Sequence, residues 1–385
     1  MSREILIYLY LTVTKVFFTL FKLIPLRSKT ILISSFGDNT HFVWDYLMGN
    51  TNQNVIILKT PGSPGEFNSN NRSTVIQFRF LSIGFIKGIY HLATSRFVMV
   101  DNYFGVLAAT PFKKEVKCIQ LWHANGAIKQ FGLKDPSLKD RSKRAVKRFK
   151  RVYDRFTHTV VGSEHMAEIF KKAFLLNDNT ILRTGIPRTD FFLDDYSTST
   201  IQQKVYNNFP KIHGRKVILY APTFRDQQLH KQTIEIDIEN LYMELSDDYV
   251  LMLRLHPVIK DKFQNDLPNF IIDVSTYPEV NHLLLITDYL ITDYSSIPFE
   301  FALLNKPMIF YPYDLDNYRT ERGFWQDYES LVPGPVAKST QEIIDLIKKD
   351  DFDIDRIKEF SKDWNQYNDG KSTEKLIQYV YKNKD

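Results

Sequence analysis

A chain of 385 residues with 43% hydrophobic and 14% aromatic side chains is too long for one core and too apolar to be disordered, so two domains of roughly 150 to 200 residues each are expected. The single cysteine, Cys118, excludes an intramolecular disulfide and a multi-cysteine zinc site, and its apolar surroundings make it a core thiol. The net charge of +5 is modest but concentrated in one stretch, so its distribution says more than its total.

Residues 4 to 24, EILIYLYLTVTKVFFTLFKLI, are about as long as a membrane span, but Lys15 and Lys22 interrupt them and no signal-peptidase site follows. The expectation is a helix in the membrane interface with its lysines at headgroup level; a poor single span and a helix packed on the protein's own core are the alternatives.

From residue 30 onward, β-rich runs alternate with helical segments: TILISS (30 to 35), NVIILK (54 to 59), RFVMVD (96 to 101), VKCIQLW (116 to 122) and HTVVGS (158 to 163). A second series follows: RKVILYAPTF (215 to 224), YVLMLRLHP (249 to 257), NFIID (269 to 273), DYLITDYSS (288 to 296) and KPMIFYPYD (306 to 314). Strand and helix in alternation predict a parallel sheet with crossover helices, twice over. The polar stretch FLDDYSTSTIQQK (192 to 204) separates the series, which puts the boundary near residues 195 to 212. The class is therefore α/β, two facing Rossmann-like domains with a central cleft where the strands' carboxyl ends meet.

Polar groups break this pattern at four strand ends. In CIQLWHANGAIKQFGLKDP (118 to 136), His123 is followed by Asn125, Gly126 and Lys129. Imidazole suits proton abstraction near neutral pH, the glycine admits close approach, and the lysine suits a phosphate; a histidine capping a turn is the alternative. APTFRD (221 to 226) offers Thr223 and Arg225 to phosphate oxygens, or a plain Arg-Asp pair. RLHP brings Arg254 and His256 to the end of an apolar strand. LITDYSS (290 to 296) leads into a helix opening at Ser295 and Ser296, whose hydroxyls and first-turn N–H groups suit an anion, with Asp293 orienting the loop. Glu300, one turn in, suits a ribose diol or simply complements the helix dipole.

KDRSKRAVKRFKRVYDR (139 to 155) carries nine Lys or Arg against two Asp, with Ala145, Phe149, Val152 and Phe156 at helical spacing. A helix cationic on one face and aromatic on the other is expected to dock on anionic lipid through Lys143, Arg144, Lys147, Arg148 and Arg151. A nucleic-acid backbone is the rival partner, but no RRM, KH or helix-turn-helix pattern accompanies the run, so no nucleic acid is expected.

Taken together, LWHANGAIKQFG, APTFRD, RLHP and ITDYSS, in this order across residues of about 115 to 325, resemble the CDP-glycerol glycerophosphotransferase family of wall teichoic acid synthesis. The resemblance implies a GT-B-like fold: a membrane-associating helix (1–26), a Rossmann-like acceptor domain (27–200) and a Rossmann-like CDP-glycerol-binding domain (201–385). It implies transfer of glycerol phosphate from CDP-glycerol with release of CMP and no cofactor. His123 would be the base and His256 would stand beside the donor pyrophosphate, which Arg225, Ser295 and Ser296 would hold, with Glu300 on the ribose. No dense carboxylate cluster marks a metal site, so protein groups are expected to supply the positive charge.

The first motif departs from the WHG form of the family's polymerases, and the first strand series starts near residue 30. The resemblance therefore implies the member that adds the first glycerol phosphate to undecaprenyl-diphosphate-linked ManNAc-GlcNAc at the cytoplasmic face of the membrane. The alternatives are a poly(glycerol phosphate) polymerase, a transferase of another CDP-activated polyol, or a GT-B nucleotide-sugar glycosyltransferase.

Overall fold

In a computed structural model, which describes residues 3–63, 65–225, 234–255 and 264–382, the apolar runs become the strands of two parallel sheets. The first sheet holds β1 (Arg27–Ser34), β2 (Asn54–Lys59), β3 (Ser73–Gln77), β4 (Ser95–Val100), β5 (Lys117–Gln120), β6 (His158–Val160) and β7 (Ile181–Leu182). Their order is β3-β2-β1-β4-β5-β6-β7. The second holds β8 (Lys216–Tyr220), β9 (Tyr249–Leu253), β10 (Ile271–Asp273), β11 (Tyr289–Thr292) and β12 (Met308–Phe310), ordered β10-β9-β8-β11-β12. Strands covered on both faces need apolar side chains on both, which is why they read as unbroken runs such as Ile31, Leu32 and Ile33, all without exposed surface. Cys118 lies among them, fully buried, and burial pushes its thiol up to about 12.

The strands Ser73–Gln77 and Ile181–Leu182 were not expected from the sequence. Both lie at sheet edges; STVIQ is partly polar and Ile181–Leu182 is only two residues long, so neither shows the apolar run that marks a central strand.

Two units share the chain. The first takes the residues up to Asn125, Phe131–Asp190 and the stretch from Gln366 onward; the second takes Gly126–Gln130 and Phe191–Asn365. Within the first, the C-terminal helix Ser372–Tyr381 contributes Leu376, Ile377 and Val380 to the core built around Leu32, Ile57 and Met99. Within the second, Ile218, Leu251, Ile291 and Ile309 from four strands meet Ile343 and Ile347 of the helix Thr340–Lys349.

In each sheet the strand order reverses once, between β1 and β4 and between β8 and β11. Connections leave in opposite directions there, and the strands' carboxyl ends open a crevice in which α/β proteins bind ligands.

Five helices of the first unit bear on function or its support: α1 (Arg3–Phe21), α2 (Asp38–Asn50), α3 (Ile83–Thr94), α4 (Lys143–Tyr153) and α5 (Glu164–Phe174). The apolar α1 is long and apolar enough to cross a membrane by length and composition, yet one of its faces is docked on the unit. Thr14 and Phe18 are fully buried, Tyr10 packs edge-on to Phe80 at 5.0 Å, and Phe21 packs edge-on to Tyr90 at 5.5 Å. The other face stays apolar and exposed, Tyr8 at 74% and Leu20 at 56%. Lys15 is exposed, but Lys22 is turned inward, donating to the Pro111 carbonyl at 2.6 Å.

The basic helix forms as expected, capped by the Ser142 hydroxyl, and its aromatic face packs on the protein. Phe149 and Tyr153 pack on Tyr103, and Tyr153 also packs on Phe174 of α5. The apolar side is spent on the protein's own interior, and the cationic side is what remains outside.

Candidate active site

β5 ends at Gln120, and two residues later Trp122 takes φ 60°, the left-handed region that costs a bulky residue on the order of 1–3 kcal/mol. Its surroundings hold it there. The Trp122 N–H donates to Gln120 Oε1 at 2.8 Å, Asn39 Nδ2 donates to the Trp122 carbonyl at 3.0 Å, and the indole stacks on Phe131 at 4.7 Å. The turn presents His123 just beyond the strand end. The imidazole lies between Phe36, stacked at 4.0 Å, and Trp122, at 4.2 Å. Its Nδ1 is 3.1 Å from the Asp101 carbonyl oxygen, which can only accept, so Nδ1 carries the proton in this bond and Nε2 is the basic nitrogen. Arg188, buried at 5% exposure, donates to the His123 carbonyl at 2.8 Å and to Asp38 at 2.9 Å.

Asp101 follows β4 at the switch point and was not singled out in the sequence. Its fully buried carboxylate accepts the consecutive N–H groups of Ser35, Phe36 and Gly37, each at 3.0 Å, and the Ser35 hydroxyl at 3.1 Å. Gly37 has φ 97°, which only glycine adopts without strain, and this lets three successive N–H groups converge. Burial raises the Asp101 pKa above the usual carboxylate range, opposed by the same amides and hydroxyl. One residue thus orients His123 twice, through its own carbonyl and through the loop that carries Phe36. The sequence signal was present: an apolar strand, RFVMV, ending in a carboxylate.

Asn125 and Gly126 have structural surroundings. Asn125 is fully buried and accepts from Asn368 Nδ2 at 2.9 Å. A Cβ on Gly126 would stand 2.2 Å from the Phe299 ring, so the close approach this glycine permits is to an aromatic side chain.

Within the second unit, the segment Gly126–Gln130 is stitched to residues 323–325: Gln130 N–H donates to the Gly323 carbonyl at 3.0 Å and Trp325 N–H to the Ile128 carbonyl at 3.1 Å. Lys129 is thereby held 6.0 Å from the Tyr318 ring centre. Its ammonium has no hydrogen bond or ion pair among the described residues. Burial lowers its pKa to about 8; Asp293 pulls it back up, and Arg322 and Arg225 push it down.

Arg225, expected on phosphate, is occupied by protein groups. Its Nη1 donates to Asp293 Oδ2 at 2.6 Å and to the Thr223 carbonyl, while Nε and Nη2 fork onto Asp314 at 3.0 and 2.9 Å. The guanidinium carbon stands 4.9 Å from the ring centres of Tyr294, Tyr313 and Tyr318. Asp293, 1% exposed, also accepts the N–H groups of Thr223 at 2.8 Å and Tyr294 at 2.6 Å. Three strand ends, after β8, β11 and β12, are locked together at the second switch point.

Around this lock, the Thr223 hydroxyl is buried with no hydrogen-bond partner among the described residues, which an incoming phosphate oxygen would satisfy. Ser295 and Ser296 are half-exposed directly before the helix Ile297–Phe301, with Ser295 Oγ accepting the Ile297 N–H at 3.2 Å. Glu300 in that helix has no exposed surface. Arg254 donates to the carbonyls of Val274 and Tyr277, at 3.2 and 2.8 Å, bracing the loop after β10. His256 lies outside the described residues.

Comparison with known proteins gives the chain a family and a fold. Residues 16–382 match the model of the CDP-Glycerol:Poly(glycerophosphate) glycerophosphotransferase family. The chain is 38% identical to the teichoic acid glycerol-phosphate primase of Bacillus subtilis (strain 168) over 92% of each chain. It is 32% identical to the teichoic acid poly(ribitol-phosphate) polymerase of Bacillus spizizenii, covering 94% of this chain and 58% of that protein. The solved structure of the wall teichoic acid polymerase TagF superposes with a TM-score of 0.82 at 26% identity, over 96% of this chain and 93% of that one. With a GT-B-like fold and a family match along nearly its whole length, the chain belongs to the CDP-glycerol glycerophosphotransferases of teichoic acid biosynthesis.

Proposed function

We propose that this enzyme is a glycerol-phosphate primase, transferring sn-glycerol 3-phosphate from CDP-glycerol to the N-acetylmannosamine hydroxyl of undecaprenyl-diphosphate-linked ManNAc-GlcNAc and releasing CMP. The observation that carries this reading is the greater likeness to a glycerol-phosphate primase, 38% identity over 92% of both chains, than to a polymerase at 32%. In the proposed reaction His123 Nε2 takes the acceptor hydroxyl proton. The freed oxygen bonds to the β-phosphorus as the bond from that phosphorus to the bridging oxygen breaks, and the electron pair leaves with CMP. Lys129, Thr223, Ser295 and Ser296 meet the diphosphate, and His256 stands beside the leaving phosphate. Arg225 acts through Asp293 by fixing the loops that present these groups. The exposed face of α1 and the cations of α4 hold the enzyme peripherally on the inner leaflet.

The test is CMP release from CDP-glycerol with and without a short-chain lipid-linked disaccharide. Acceptor-dependent release with one glycerol phosphate added per acceptor is expected. Long polymers would assign a polymerase, and turnover of CDP-ribitol in preference to CDP-glycerol would change the donor.

Lys129 gives this reading a pH signature with two opposite signs. Its folded pKa of about 8 lies below the ordinary 10.5, so the folded chain binds fewer protons between these values and stability rises with pH across that window. Donor affinity should move the other way, falling by roughly tenfold once the ammonium deprotonates above pH 8, the loss of one charge-assisted phosphate contact. Lys129→Arg, which stays charged, is expected to flatten the affinity profile. Titration calorimetry across pH checks this, and a flat wild-type profile would remove Lys129 from the phosphate site.

A further inference from the structure

We propose that the groove between α1 and α4 binds the diphosphate of the prenyl lipid that carries the acceptor sugar. Its volume is about 520 Å³, within the range of small-ligand sites. The walls differ in chemistry. Ile5, Tyr8 and Leu11 of α1 line one side, and Arg144, Lys147 and Arg151 of α4 line the other. These three cations are exposed and have no ion pair among the described residues. At spacings of three and four residues they form one stripe along the helix. The neighbouring Arg148 is only 16% exposed and forks onto Glu4 at 3.2 and 3.3 Å, which ties the two helices and occupies the carboxylate that lines the groove.

A row of three unpaired cations suits a ligand bearing more than one negative charge in a short length. A diphosphate diester carries two, where an ordinary phosphodiester headgroup carries one. The apolar wall continues into the exposed face of α1, where Leu9 and Val16 stand at 42% and 52% exposure, so a hydrocarbon tail would leave along that helix. The inference rests on the lipid-linked acceptor proposed above, and it adds a place on the chain where that lipid's headgroup is recognised.

The experiment measures binding of the full chain, without CDP-glycerol, to phosphatidylcholine vesicles carrying undecaprenyl diphosphate. The reference is vesicles brought to the same surface charge with phosphatidylglycerol. The wild type is expected to favour the diphosphate vesicles by on the order of tenfold or more, the gain from one charge-assisted contact to the second phosphate that the matched surface charge does not supply. Arg144→Gln/Lys147→Gln/Arg151→Gln should abolish that preference. Lys150→Gln, exposed on α4 but outside the groove, should weaken both and keep their ratio. Equal binding of the wild type to the two vesicles, or a preference that survives the triple substitution, overturns the site. Because no turnover is involved, a failed transfer assay beside an intact vesicle preference would count against the proposed reaction alone.

Discussion

His123→Gln is expected to lower acceptor-dependent CMP release by on the order of a hundredfold to ten-thousandfold, the range for removing a positioned general base. The KM for CDP-glycerol should change little, since the donor contacts proposed here lie on Lys129, Thr223, Ser295 and Ser296. The structural reason to expect a base is the preparation of the ring. Two aromatic faces hold its plane, the Asp101 carbonyl holds Nδ1, and Nε2 is therefore the basic nitrogen. Glutamine fits the volume but has no basic nitrogen. The imidazole is half-exposed, so thermal unfolding of the variant should stay near that of the wild type, separating lost chemistry from lost folding. Asp101→Asn serves as the companion measurement. An amide in place of the carboxylate turns one acceptor into a donor facing the N–H groups of Ser35, Phe36 and Gly37, which should release Phe36 and lower kcat through His123. Full activity in His123→Gln would return this histidine to the role of a turn residue.

What the sequence made legible was the frame and its exits. Apolar runs marked ten of the twelve described strands, and polar groups at four strand ends marked the turns of the candidate site. What it hid were the partners of those groups, because parallel sheets bring together loops far apart in the chain. His123 leans on Asp101, 22 residues away, and its carbonyl is held by Arg188, 65 residues away. Arg225 looked like a phosphate ligand in APTFRD because the carboxylates that claim it, Asp293 and Asp314, stand 68 and 89 residues further on. Gly126 looked like a ligand contact because Phe299 was invisible beside it. The chain's crossings, at Gly126–Gln130 and at Gln366, left no trace in composition.

Arg225→Met is expected to destabilise the second unit by about 3–5 kcal/mol, the usual loss when one member of a buried ion pair is removed and the other stays charged. For a unit of this size that lowers its melting temperature by roughly 10 °C. Asp293, 1% exposed, would keep its two backbone N–H donors but lose the guanidinium, and the three tyrosine rings would close on a thioether. Arg225→Lys should rescue little, because an ammonium supplies the charge without the fork onto Asp314 or the plane the rings lie against. Adding Asp293→Asn to Arg225→Met removes the uncompensated charge and should recover part of the stability, a coupling that calorimetry on the four-member cycle would measure. A phosphate-binding arginine predicts the reverse pattern: donor affinity falls, thermal stability holds, and the double substitution restores nothing. The five N–H donors decide the expectation, since among the described residues four already point at protein oxygens. Loss of stability with recoupling at Asp293 would therefore make Arg225 the lock of the donor loops, and loss of affinity alone would make it their hand.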